Sequence, residues 1–225
     1  MSQQPGVLWD LDGVLVDTGN LHYVAWAQIL STANIPFSYE QFINTFGMNN
    51  RGLLNTLLGR EPTLEEIQRL GVEKEFAFRR LAHGNVSLHA GVENLLKQLA
   101  ALGIPQAVAS SAPQENIDVL VDELEIRGYF DAIVSAYDFP GKPDPAVFLK
   151  AAKAIHREPA DCVVFEDAVV GIQAARAAGM RCIAISNSHP RSALMLADKV
   201  VDTLENLPIR TIFELIALND QGNSR

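Results

Sequence analysis

Val7-Leu8-Trp9-Asp10-Leu11-Asp12-Gly13-Val14-Leu15-Val16-Asp17-Thr18 decides how this chain is read. An apolar run ends in two carboxylates two residues apart, followed by a glycine and a second apolar run. With residues 7–10 as a strand, the last carboxylate emerges at the sheet's carboxyl edge, where open α/β sheets bind their ligands. Asp10 and Asp12 then alternate in direction, so the chain must curl at Gly13 for both to serve one pocket. Two acids sharing a pocket repel each other unless a cation or a proton lies between them. That demand points to metal-assisted or acid/base chemistry rather than to packing.

Beyond residue 88 helical and strand-like segments alternate. Leu95, Leu96, Leu99 and Leu102 mark a helix over 92–102, closed by Gly103. Residues 106–110 read as a short buried strand. Ile117, Leu120, Val121 and Leu124 form the next apolar stripe, with Pro113 near the helix start. Residues 132–135 are a strand, and Asp144-Pro145 opens a helix through about 155. Strands at 162–165 and 181–185 flank a small-residue helix over 168–178, closed by Gly179, and 199–201 adds an edge strand. Repeated β-α-β units imply an α/β fold: a doubly wound parallel sheet with helices on both faces, built from residues 1–18 and 88–225. Residues 19–87 break the rhythm, with helices expected at 21–30, 39–46, 52–58 and 64–81 and no strand. They read as an inserted α-helical cap domain over the sheet's carboxyl edge, joined through 17–20 and 88–91. Tyr23, Trp26, Ala27 and Leu30 give the first cap helix an apolar face, and the chain is expected to fray from about Asn219.

At 225 residues the chain suits one large domain, or a domain plus a smaller insert. Its net charge of −9 argues against a nucleic-acid partner and against an anionic membrane surface. Phosphate ligands stay compatible, because a local cation reverses the field. The two cysteines, Cys162 and Cys182, lie in apolar strands and read as buried free thiols of a reducing compartment. No apolar run approaches ~20 residues, and residues 1–6 lack the features of a signal peptide, so the expectation is a cytoplasmic protein. Nothing in the sequence sets an oligomeric state, and a monomer suffices for this reading.

Three later segments fall on the same sheet edge. Ser110-Ser111 follows its strand, where a hydroxyl and the next helix's first amides can hold an anion; the alternative is a plain N-cap serine. Gly141-Lys142-Pro143-Asp144-Pro145 sets a lysine in a rigid turn, either as a cation for phosphate or an anionic nucleophile, or as an ordinary surface residue. Glu166-Asp167 ends a third strand with two more carboxylates. Four acids, a lysine and a serine converge, and a carboxylate-rich set suits a hard ion such as Mg²⁺. Asp17-Thr18 reads equally as a helix cap or as a hinge.

The ordered set Asp10-Leu11-Asp12-Gly13 with Asp17-Thr18, then Ser110, then Lys142-Pro143, then Glu166-Asp167 with Gly171 and Ala174-Ala175, resembles the haloacid-dehalogenase-like superfamily over the full chain. The resemblance is to its helical-cap branch, which holds β-phosphoglucomutase and many small-molecule phosphatases around a Rossmann-like core. It implies Asp10 as a nucleophile that forms an aspartyl-phosphate, and Asp12 as general acid and then base. It implies Mg²⁺ held by Asp10, the Asp12 backbone carbonyl, Asp167 and Glu166, with Glu166 the less secure of the last two. Ser110 and Lys142 would bind the transferring phosphoryl oxygens.

Asp12 separates this chain from family members that cleave carbon–halogen bonds, which lack an acid there, and weakens a phosphonate-hydrolase reading. The cap segments His22-Tyr23-Val24-Ala25-Trp26 and Gly47-Met48-Asn49-Asn50-Arg51 resemble substrate-contacting segments of the same branch. His22, Trp26, Gly47, Arg51, Lys74 and Ser111 are therefore the expected substrate contacts, Trp26 doubling as a core residue. The mutase pattern around Gly47 and Arg51 is one residue shorter, which puts the second phosphate site of a mutase in question. The expected partner is a small phosphorylated metabolite such as a sugar phosphate, processed by a Mg²⁺-dependent phosphohydrolase. The alternatives are a β-phosphoglucomutase-like isomerase, a phospho-accepting signalling module, and a binding protein with an idle site.

Overall fold

The computed structural model describes residues 4–137 and 140–222. Among them six strands form one parallel sheet: β1 (Gly6–Trp9), β2 (Gln106–Ser110), β3 (Ala132–Ser135), β4 (Cys162–Glu166), β5 (Arg181–Ile185) and β6 (Lys199–Val201). Their order is β3-β2-β1-β4-β5-β6. From β1 the chain runs outward one way through β2 and β3, then returns to β4 on the other side of β1. The β1/β4 boundary is the switch point, where flanking connections diverge and leave a crevice at the carboxyl ends.

The central strands are buried on both faces, which is why they read as unbroken apolar runs. On one face Val7, Trp9, Val108, Val163 and Phe165 pack against helices α6 and α7 described below; on the other Leu8, Ala107, Ala109 and Val164 form a second core. Trp9 stacks on Phe165 with ring centroids 4.3 Å apart, and its indole N–H donates to Gln106 Oε1 at 3.0 Å. The largest buried side chain of β1 therefore has its polar atom satisfied.

Between β1 and β2 lies the all-helical insert: α1 (Gly19–Thr32), α2 (Tyr39–Thr45), α3 (Asn50–Leu58), α4 (Leu64–Glu66) and α5 (Val72–Ala82). Ser38 and Thr63 each form a capping box, with Gln41 and Glu66 respectively. The helix expected over 64–81 is one helical run with a π-helical stretch, Ile67–Gly71, in its middle. Trp26, Leu30, Leu53, Leu54 and Leu70 make a core of its own for this insert. On the first helix the buried face is His22, Ala25, Trp26 and Leu30; Tyr23 is half-buried among Phe37, Tyr39 and Phe42, and Ala27 is also half-buried. The two linkers run side by side: Asp17 N–H donates to the Ser87 carbonyl at 3.1 Å, and His89 N–H to the Leu15 carbonyl at 3.0 Å.

The remaining helices are α6 (Val92–Ala101), α7 (Gln114–Glu123), α8 (Ala146–Ala154), α9 (Val169–Ala177) and α10 (Arg210–Gly222). The last has no counterpart in the sequence reading; Ile212 and Leu215 attach it to the core, and it runs on past Asn219, where fraying was expected. Val92, Leu95, Leu96 and Leu99 of α6, with Ile117, Leu120 and Val121 of α7, cover the first face; α8 and α9 cover the second. Cys162 and Cys182 are buried free thiols. No helix of the described residues is long and apolar enough to cross a membrane.

Candidate active site

Asp10 follows the last residue of β1, and its N–H donates to the Phe165 carbonyl of β4 at 3.0 Å, which fixes the carboxylate above the switch point. Gly13 takes φ +85°, a left-handed turn that folds residues 11–16 back on themselves. A Cβ at Gly13 would collide with the Asp167 carboxylate, so glycine is required twice over. The curl separates the two aspartates by environment. Asp10 faces Lys142, whose Nζ lies 2.5 Å from Asp10 Oδ1 and 2.5 Å from Glu166 Oε1. Asp12 faces the insert: Thr18 Oγ1 donates to its Oδ1 at 2.6 Å, and His22 Nε2 lies 2.9 Å from the same atom.

Thr18 occupies the N-cap position of α1 yet its side chain caps nothing, because its hydroxyl is spent on Asp12. His22 is fixed by stacking on Phe78 at 3.9 Å. Burial pushes the Asp12 carboxyl up, but the His22 charge, the His22 and Thr18 hydrogen bonds and the Lys74 charge together hold it below the ordinary aspartate value.

Lys142 is 4% exposed, sits 5.0 Å above the Phe148 ring, and is no surface residue. Glu166 uses both oxygens: Oε1 accepts from Lys142, and Oε2 from the amides of Asp167 and Ala168 at 2.9 and 3.0 Å. Asp167 accepts from Ser188 through Oδ2, while its buried Oδ1 has no partner. Asp10, Glu166 and Asp167 each bring an oxygen within 4.8 Å of the others. Burial pushes Asp10 up to about 7 against the pull of Lys142, with the Glu166 and Asp12 charges adding to the rise. Asp167 is raised well above the usual range by burial and then by Glu166 and Asp10. Lys142 is raised by the same two carboxylates that it pairs with, against its own desolvation. Three buried carboxylates thus share one lysine. The cluster is short of positive charge, and the orphaned Asp167 oxygen lies in it. An all-oxygen set of this kind fits a hard divalent cation. The Asp12 carboxylate is outside the cluster, turned toward Thr18 and His22.

Ser110 ends β2 almost fully buried; its Oγ accepts from Ala112 N–H at 3.0 Å, and the residue lines the cavity. It does not cap α7, whose N-cap residue is Pro113. Ser111 Oγ donates to the Gly47 carbonyl at 3.2 Å, joining the sheet edge to the insert. His22, Trp26, Gly47, Lys74, Ser110 and Ser111 line one cavity with Asp10 and Asp12. The cavity is ≈ 50 Å³, room for a few waters rather than a sugar. Arg51 is elsewhere. Its side chain is 63% exposed and pairs with Glu61, while Asn50, at the first position of α3, turns inward. Neighbouring helical positions point about 100° apart, so Asn50 and Arg51 cannot both face the cavity.

Sequence reasoning missed Ser188, Asn50, Glu75 and Asn116. Ser188 had a legible signal, because it follows β5 on the same carboxyl edge. The others sit on helix faces, and nothing in their spacing marks them.

The switch-point site and its helical cover define an α/β enzyme with a carboxylate–lysine centre. The chain belongs to the haloacid dehalogenase-like hydrolase family, whose model matches residues 5–179. It is 33% identical over 216 residues to a beta-phosphoglucomutase of Bacillus subtilis, covering 92% of this chain and 93% of that protein. It is 30% identical over 209 residues to the chloroplastic 5-amino-6-(5-phospho-D-ribitylamino)uracil phosphatase of Arabidopsis thaliana, covering 91% of this chain but 56% of that longer protein. A crystal structure of beta-phosphoglucomutase from Clostridium difficile superposes with a TM-score of 0.86 at 27% identity, covering 99% of this chain and 100% of that one.

Proposed function

We propose that the protein is a Mg²⁺-dependent phosphomonoesterase acting on a small phosphorylated metabolite of the sugar-phosphate class, through an aspartyl-phosphate. The observation that carries this reading is the division of the two aspartates: Asp10 clamped by Lys142 beside Glu166 and Asp167, Asp12 held apart by Thr18 and His22. One carboxylate is held by a cation beside the acidic cluster, the other by a hydroxyl and an imidazole that can share a proton with it.

Asp10 attacks phosphorus while Asp12 protonates the departing ester oxygen, so the alcohol leaves neutral. Asp12 stands ionised without substrate; the arriving phosphoryl charge raises its proton affinity, and it takes up one proton from solvent as the ester binds. Asp12 then takes a proton from water, which attacks the aspartyl-phosphate and releases inorganic phosphate. Lys142 and the Ser110 hydroxyl steady the transferring oxygens, where charge stabilisation counts most. Asp10, Asp167, Glu166 and the Asp12 carbonyl would hold Mg²⁺, which would supply the charge that offsets repulsion between the carboxylates and the phosphoryl dianion. A cavity too small for a sugar supports opening of the insert for substrate entry and closure to exclude water, with the paired linkers at 17–20 and 88–91 as the hinge.

The mutase alternative needs a cation for a second phosphate, and Arg51 points away from the cavity. A phosphate-release screen with Mg²⁺ over a phosphometabolite panel tests the reading. Conversion of β-glucose 1-phosphate to glucose 6-phosphate with a bisphosphate primer, without free phosphate, would overturn it.

A further inference from the structure

The wall of the cavity opposite Asp10 is built from consecutive residues of α5. Lys74 and Glu75 are both buried, both line the cavity, and pair at 3.0 Å between Nζ and Oε1. Glu75 Oε1 also accepts from Asn50 Nδ2 at 2.8 Å, and Oε2 from Asn116 Nδ2 at 2.6 Å. Asn116 belongs to α7 of the sheet domain, and its own carbonyl oxygen accepts from Arg79 at 2.7 Å. Glu75 is therefore tied to its own helix, to α3 and across to the core. Three donors occupy a carboxylate that can accept about four, leaving room for one more. Burial pushes its carboxyl up, but the Lys74 charge, the His22 charge and these hydrogen bonds together hold it below the ordinary value.

The charges on this wall balance. Lys74 Nζ lies 5.5 Å from the Trp26 and Phe78 ring centroids and has donors to spare beyond its bond to Glu75. His22 is committed to Asp12, and among the described lining residues there is no arginine. The rest of the wall is apolar (Trp26, Phe42, Phe46, Leu53) or neutral and polar (Thr45, Asn49, Asn50). A hydroxyl-bearing group fits each element: one hydroxyl can accept from Lys74 and donate to Glu75, while C–H faces lie on Trp26. A second anion would meet a buried carboxylate with the nearby ammonium already paired, in surroundings that screen poorly.

We propose that Glu75 is the specificity-determining residue of the leaving-group pocket: by cancelling Lys74 it selects monophosphates of uncharged polyhydroxy compounds and rejects esters whose leaving group carries a second phosphate or a carboxylate. This rests on the phosphomonoesterase reading above and narrows it. Two matched pairs of probes test it, fructose 1-phosphate against fructose 1,6-bisphosphate and glycerol 3-phosphate against 3-phosphoglycerate. Wild-type kcat/KM is expected to favour the member with the uncharged leaving group, fructose 1-phosphate or glycerol 3-phosphate, at least 100-fold. Glu75→Gln removes the charge while keeping the size, and is expected to reduce that preference at least tenfold by raising kcat/KM for the charged member.

Equal turnover of both members by an active wild type overturns the proposal and leaves the phosphomonoesterase reading standing. An unchanged preference in a Glu75→Gln protein that keeps its circular dichroism spectrum overturns it as well. Should the variant not fold, the wild-type ratios decide alone. No phosphate release from any of the four probes, or from the wider panel, overturns both readings together.

Discussion

The two ends of one cavity carry opposite electrostatic designs. At the sheet edge, Asp10, Glu166 and Asp167 crowd around Lys142 with an excess of negative charge and an orphaned oxygen. On the cap wall, Lys74 and Glu75 cancel, and each oxygen of the carboxylate is hydrogen-bonded. The first arrangement calls for a further cation or a proton, and its buried oxygens suit a metal ion. The second is complete without any ligand ion. An unbalanced cluster prescribes a reaction, and a balanced one prescribes what kind of molecule is allowed to reach it.

Breaking the sheet-edge end should have the largest effects. Asp10→Asn keeps the shape and removes the nucleophile, so phosphate release should fall by on the order of 10⁴-fold. Intact mass spectrometry should then show no phosphorylated protein where wild type shows a transient one. Release at wild-type rates would remove Asp10 from the chemistry. Lys142→Met should lower stability by about 3–5 kcal/mol in chelator, because it strips three buried carboxylates of their one cation. The loss should be smaller in excess Mg²⁺, as followed by denaturant unfolding. Identical losses in both conditions would mean that metal and lysine do not serve the same charges.

Mg²⁺ itself should stabilise wild type by about 2.7 kcal/mol at one hundred times its Kd, a rise of several degrees in Tm. An unmoved Tm would break the contrast between the two ends. Outside both ends, burial pushes the Cys162 thiol up to about 12, and Cys182 well above its ordinary value. Above the ordinary thiol range the unfolded chain sheds a proton that the native state keeps. Stability is therefore unaffected below about pH 9 and falls above it, by about 1.4 kcal/mol per pH unit for Cys162 until its folded value is reached. Alkylation by iodoacetamide at pH 8 should accordingly need denaturant. Rapid labelling of the native protein would contradict this. The smallest effect belongs to Arg51→Ala, which removes an exposed pair with Glu61 and should leave the denaturant midpoint unmoved within error. Its kcat/KM should stay within about twofold of wild type, and a large loss would bring Arg51 back to the substrate.

Much of the sheet edge was legible because strands advertise their ends. Apolar runs of four or five residues stop at Trp9, Ser110 and Glu166, and parallel winding brings those stops to one side. Asp10, Ser110 and Asp167 therefore meet by topology, whatever the details of packing. The cap wall was harder to read, since a helix hides its inner face in a period that one residue can shift. Arg51, expected at the substrate, turns out of the cavity while its neighbour Asn50 lines it, and nothing in the spacing marks Glu75. Thr18 offered a plausible cap whose hydroxyl had another use. Helix α10 was passed over although Ile212, Phe213, Leu215 and Ile216 carry a helical apolar spacing that the sequence already showed.

By itself the sequence determined the parallel sheet, the helical insert, every element but the last helix, and the acids and lysine that gather at the sheet edge, because these follow from local periodicity and from the handedness of β-α-β connections. Only the tertiary structure decided which aspartate faces the lysine and which the histidine. It alone decided that Arg51 leaves the cavity while Asn50 enters, and that Glu75 is buried and bridged to Asn116. Those outcomes depend on helix rotation and on contacts between residues 41 positions apart, and no local pattern encodes them.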